Sequence, residues 1–188
     1  IVALATERAA DGRARLRDVL VRDPSAYEAR VALVRADRAR LRAGAVDTLE
    51  LAAALPERAR AVVDGWTHED RRDWPALRTL EPRLASLAPA DPFYGDALRL
   101  RAAWRIGSED AALAVEALGI FDRLLPMSVE PRDYVRRSAA AVVARDMDVA
   151  LESLMQALDS TTPGAYRAVA NDVATALVAL PTGANLAE

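Results

Sequence analysis

Apolar residues recur at intervals of three and four along almost the whole chain, and no stretch alternates apolar with polar as a half-buried strand would. The pattern predicts an all-α protein. A first helix is predicted over residues 2–22, with Leu16, Val19 and Leu20 inward, a weak point at Asp11-Gly12 and a stop at Asp23-Pro24. A second runs from about Ser25 to Arg42 on the stripe Tyr27, Val31, Val34 and Leu41, closed by Ala43-Gly44. A third begins near Asp47 and buries Leu49, Leu51 and Leu55; Pro56 then kinks it or opens a new helix that ends at Asp64-Gly65.

Trp66 to Pro89 is the least regular segment. Thr67 and Asp70 have the spacing of a capping box, and Asp73 before Trp74-Pro75 is a second helix start. Leu77, Leu80, Leu84 and Leu87 mark one face of a helix that Pro82 should bend, so a distorted hairpin is expected. Beyond Pro92 a helix is predicted from Phe93 to Ile106, stopped by Gly107. Ser108 would cap the next, which runs through Leu113, Leu118 and Phe121 to Leu125. A further pair follows Pro131, Tyr134 to Ala144 and Asp148 to Leu158, with its turn at Arg145-Asp146. A last helix after Pro163 carries Tyr166, Val169, Val173 and Leu177 to Leu180-Pro181, and the tail from Thr182 is expected to fray.

These segments amount to about nine helices with short connections, which favour antiparallel neighbours. All four tyrosines (Tyr27, Tyr94, Tyr134, Tyr166) sit two or three residues after a proline, and proline landmarks recur every 32 to 39 residues. That is close to the period of helix-turn-helix repeats.

The segment Pro131 to Pro163 resembles the tetratricopeptide repeat (TPR) family. Tyr134 stands where that family has the large aromatic of its first helix, Ser138 where it has a small residue, Ala150 and Ala157 where it has paired alanines, and Pro163 where the unit closes. Residues 91–126 match more loosely through Tyr94, Gly107, Ala112 and Pro126, and residues 24–56 more loosely still. The glycine expected in the first helix is absent from every unit. The resemblance implies a single domain over 1–188, with units near 1–23, 24–56, 57–90, 91–126 and 131–163 and a capping helix over 164–181. It further implies a TPR-like α-solenoid whose first helices line a concave, protein-binding face. The lysine and asparagine clamp that some members use for a C-terminal carboxylate has no counterpart, since this chain has no lysine.

Composition narrows the picture. All 25 basic residues are arginine, which together with abundant alanine, leucine and valine reads as a high-G+C, bacterial source. Residues 1–62 carry 12 arginines against 9 acids, 63–106 carry 7 against 7, and 107–188 carry 6 against 12. This gradient would orient a partner or favour head-to-tail association, and lacks the clustered positive charge expected of a nucleic-acid surface. No apolar run is long enough to span a bilayer. The absence of cysteine excludes disulfides and thiolate chemistry, so redox usage leaves the compartment open: cytoplasmic, periplasmic, or the soluble part of a membrane-anchored protein. The chain opens at Ile1 without a methionine, which is expected of a mature form or of a domain from a longer protein.

Candidate chemistry is sparse. His68 is the only histidine, and the residues one turn on are Arg71 and Arg72, which repel a cation; no metal and no cofactor is expected. It reads as a solvated loop or helix-start residue. No phosphate loop, dinucleotide fingerprint or nucleophile elbow is present, so no catalysis is expected within these residues. Trp66 and Trp74 are candidate partner anchors, with packing between hairpins as the alternative, and Trp104 reads as core. Arg35, Arg38 and Arg42 form a stripe on the second helix, and Arg101 and Arg105 repeat it after Pro92. The two stripes are candidates for one groove that takes an acidic peptide or an anionic glycan, or else for solvated outer faces. The expected function is a protein-interaction scaffold. The alternatives are an accessory helical domain of a membrane-bound polysaccharide or glycosyl-transfer enzyme, and a helical bundle that encloses a small molecule.

Overall fold

The computed structural model describes the backbone of residues 2–42, 55–128, 130–162 and 165–179, and side chains over 11–38, 55–128, 130–162 and 165–178. Among them are ten α-helices and no strand. They are α1 (Val2–Arg22), α2 (Tyr27–Arg42), α3 (Glu57–Asp70), α4 (Trp74–Thr79), α5 (Glu81–Ala85), α6 (Tyr94–Gly107), α7 (Ala111–Leu124), α8 (Pro131–Val143), α9 (Met147–Asp159) and α10 (Tyr166–Ala179), with one 3₁₀ turn at Leu125–Met127. No described helix is long and apolar enough to cross a membrane. The helix expected from Asp47 lies outside the described residues except for its end at Leu55, which is buried as read; the Leu41 side chain, the Ala43-Gly44 turn and the tail from Thr182 lie outside them too.

One turn is used three times. Arg72, Glu109 and Arg145 all take the left-handed conformation, with φ of 55°, 57° and 64°. Each is followed at once by an aspartate that caps the next helix. Asp73 accepts from the Ala76 amide, Asp110 from those of Ala112 and Leu113, and Asp146 from that of Val149. Two of the three turns also close by a bond from the aspartate's own amide back to the previous helix, Asp73 to His68 O and Asp146 to Ala141 O. The first helices of these hairpins start at Glu57, Tyr94 and Pro131, 37 residues apart each time.

Packing follows the same order. α6 pairs with α7 and α8 with α9; α7 packs on α8, and α8 and α9 both pack on α10. α3, α4 and α5 all meet α6. The main core lies under α2 to α6 around Val34, Val62, Trp66, Leu77, Leu84 and Phe93. A second core joins α6, α7 and α8 through Leu98, Phe121, Leu124 and Ala140, and a third joins α9 and α10 through Leu154, Val169 and Val173. Gly65 lets α3 approach α6, because a Cβ there would come within 2.7 Å of Leu100 Cδ1.

Several expectations are corrected. Asp11-Gly12 does not interrupt α1. Asp64-Gly65 does not end α3, whose buried face runs on through Trp66 to a close at Asp70. Thr67 is therefore no cap: its hydroxyl donates to Val63 O inside the helix. His68 stands in the last turn of α3. Ser108 closes α6, donating to Arg105 O, and Asp110 caps α7 in its place. The expected bend near Pro82 falls at Leu80, which ends α4 and starts α5, while Leu77, Leu80, Leu84 and Leu87 are all buried as read. Leu177 is 46% exposed, and of the stripe read on the last helix only Val169 and Val173 are buried.

Candidate functional site

An opening of about 500 Å³ lies where α2, α3 and α6 meet Pro89, Asp91, Pro92, Met127, Ser128 and Glu130. Trp66 forms its floor, with Phe93 edge-on at 6.0 Å between ring centroids. Arg38 of α2 stacks over Trp66 at 4.6 Å, and Arg35 covers Phe93 at 5.5 Å. Tyr94, Pro92 and Met127 supply the apolar rim.

The polar groups around this cleft join into a ring. Arg35 binds Asp96 at 2.6 Å, Asp96 faces Arg99 at 3.5 Å, and Arg99 binds Asp133 at 2.8 Å. Asp133 faces Arg136 at 3.4 Å, Arg136 lies 3.9 Å from Glu69, and Glu69 binds Arg38 at 2.7 Å. Arg35 and Arg38, one turn apart on α2, close the circuit. Arg35 also donates to Pro92 O, and Ser128 donates to Asp133. Asp133 is fully buried, and Arg99, Arg136 and Ser128 surround its carboxyl group. Burial works against the charged form of Arg99. The hydrogen bonds and charge of Asp133, with the charges of Glu130 and Asp96, outweigh it and lift its pKa above the ordinary guanidinium value. Nearby, burial and the adjacent Asp91 carboxylate push the Tyr27 phenol up to about 12.

The opposite side of α6 carries a second ionic system. Glu81 of α5 accepts from Arg101 at 2.8 Å, from the Trp104 indole at 3.0 Å and from Arg105 at 3.1 Å. Arg105 also reaches Glu116 of α7 at 3.0 Å. Burial alone would raise the Glu81 pKa, but the bonds from Arg105, Trp104 and Arg101 outweigh it and hold the carboxyl below its usual range. Trp104 is buried, with the guanidinium groups of Arg78 and Arg105 over its ring at 5.4 Å and 4.3 Å.

The structure thus brings Arg35, Arg38 and Trp66 together at one cleft. Arg101 and Arg105 point elsewhere, two residues or more round the helix from the Asp96–Arg99 face, and the two stripes do not share a groove. The side chain of Arg42 lies outside the described residues. Trp74 stands apart at the far end of α6, against Gly107. The cleft lining holds Arg35, Arg38 and Arg99 against Asp91, Asp96 and Glu130, so it offers no surplus of positive charge. Among the described residues no three His, Cys, Asp or Glu side chains converge on a point that could hold a metal.

Sequence reading missed Asp96, Arg99, Asp133 and Arg136, and a signal for them exists. Asp96-x-x-Arg99 and Asp133-x-x-Arg136 are the same pattern, displaced by the 37-residue interval that separates the starts of α6 and α8. Comparison of the chain with protein-family models, with curated proteins and with solved structures finds no match.

Proposed function

We propose that the chain is a divergent tetratricopeptide-like α-solenoid that mediates association with another protein, with the Arg35–Trp66–Met127 cleft as the place where an extended peptide segment docks. The observation that carries this reading is the cleft itself. First helices separated by a fixed repeat interval meet around an aromatic floor, and their charged groups are already held in position by one another. A ligand that enters such a site orders few side chains, which lowers the cost of binding. Proline and aromatic walls with balanced charge suit a segment of mixed charge better than the strongly acidic peptide read from the arginine stripes. On this reading the residues carry no reaction of their own.

Panning a displayed random peptide library against the protein tests the proposal. Met127 is 52% exposed on the cleft and Val115 is 58% exposed on the outer side of α7, so Met127→Glu and Val115→Glu make a matched pair. Enriched peptides should lose binding to Met127→Glu at least ten-fold and keep it for Val115→Glu, on the scale of a lost interface anchor, about 1–2 kcal/mol. Peptides that bind both variants alike, or no enrichment at all, would overturn the assignment of the cleft.

A further inference from the structure

Trp74 is not used by the cleft, yet its placement is strict. It opens α4 and lays its ring on Gly107 near the end of α6, where an added Cβ would come within 2.2 Å of Cε2 and 2.5 Å of Nε1. Any other residue at 107 would displace the indole. Gly107 lies about 16 Å along the α6 axis from Asp96, at 1.5 Å per residue, so this is a separate region from the cleft.

Beside the ring is a second cavity of about 390 Å³, within the roughly 300–1,000 Å³ of small-molecule sites. Trp74, Ile106, Val142, Val143 and Ala176 make it apolar. One of its lining side chains is polar and buried. Ser138, on α8, is 1% exposed, and its hydroxyl is buried with no hydrogen-bond partner. Ser153 on α9 shows the usual solution for such a residue: it donates to Val149 O at 2.7 Å and accepts from Arg137 at 2.9 Å. Ser138 does neither, so its desolvation is uncompensated by the protein. A lone water is a poor partner here, since it needs two to four polar neighbours and most of the lining is apolar. The lining also holds Arg72 and Glu109, two of the three left-handed turn residues, of opposite charge. The lining therefore carries no net charge.

We propose that this cavity binds a small, uncharged, largely apolar molecule with a planar ring and one carbonyl-type acceptor. The ring lies against Trp74 and the acceptor takes the Ser138 hydroxyl. The site does not depend on the peptide cleft.

The neutral fluorescent ketone prodan is a fitting probe, with its parent naphthylamine, which lacks the carbonyl, as comparison. Wild type should bind prodan saturably, with a blue shift of its emission. Ala139 is exposed on α8 at the cavity, so Ala139→Phe should fill the space and abolish binding at an unchanged melting temperature. Val143→Phe serves the same purpose should Ala139→Phe melt lower. Ser138→Ala should weaken prodan by about five-fold, the effect of one neutral hydrogen bond, and leave the naphthylamine unaffected. Met127→Glu should bind prodan as wild type does. Absence of saturable binding, or equal binding by both filled variants, would overturn the site; equal prodan affinity of Ser138→Ala would overturn its chemistry.

Discussion

Helix α6 carries two ionic systems on two faces, built from the same residue types. On one, Arg99 reaches out of its own hairpin to Asp133 on the next first helix, and Asp96 reaches to Arg35 on α2, 61 residues away in sequence. On the other, Arg101 and Arg105 converge on Glu81 of α5, with Glu116 and the Trp104 indole beside them. The first system is a ring that ties together helices distant in sequence, and its Asp133 carboxylate is fully buried. The second is a local cluster around a carboxylate whose side chain is 21% exposed. Burial and connectivity, more than the number of ion pairs, should therefore decide what each is worth.

Asp133→Ala should have the largest effect. It leaves the Arg99 guanidinium, 15% exposed, with the longer Asp96 and Glu130 contacts and the Ser128 hydroxyl, and should cost about 3–5 kcal/mol in chemical unfolding. A loss under about 1 kcal/mol would mean that the link between α6 and α8 is dispensable. Glu81→Gln should cost less, about 1–3 kcal/mol, because water can replace part of what is lost. Its signature lies in pH. The folded pKa of Glu81 is depressed, so its contribution is complete above the ordinary carboxylate value and disappears as pH falls through the folded one. The difference in stability between wild type and Glu81→Gln should accordingly close in acid; a constant difference would remove Glu81 from the account. The smallest effect should come from Arg35→Ala and Arg101→Ala combined. The two arginines have no shared partner, so their losses should add within about 0.5 kcal/mol, and a larger coupling would mean that the faces of α6 communicate.

The helices were legible because alanine, leucine and arginine repeat with a helical period, and Asp73 with Pro75 announced α4 by chemistry alone. Other boundaries were misread for identifiable reasons. Gly65 looked like a stop, but it is kept for the closeness of Leu100, and a serine before an acidic pair looked like a cap when the second acid, Asp110, does that work. Prolines and tyrosines drew attention to spacings of 32 to 39 residues, whereas the turns repeat more tightly at Arg72, Glu109 and Arg145. None of those three is glycine, so the left-handed positions leave no trace in composition. Arg35 and Arg38 do lie one turn apart on α2, and Arg101 and Arg105 on α6, yet local spacing cannot reveal that their carboxylates lie on other helices. Trp66 was found as an aromatic landmark, and its role as the floor of a cleft depends on α2 and α6, which no local pattern brings together.

The recurring turn and the Asp-x-x-Arg pattern share one further property: they make residues 94–130 a self-compatible module. That stretch begins at the start of one first helix and ends just before the next. If it were copied in tandem, the Arg99 of one copy would face the Asp96 of the following one, a position equivalent to Asp133. The joint would carry the same chemistry as the native one, and each copy would end in the aspartate-capped second helix that the next requires. In sequence register, one stretch of 37 residues therefore carries both halves of the joint, the arginine that reaches forward and the carboxylate that receives it.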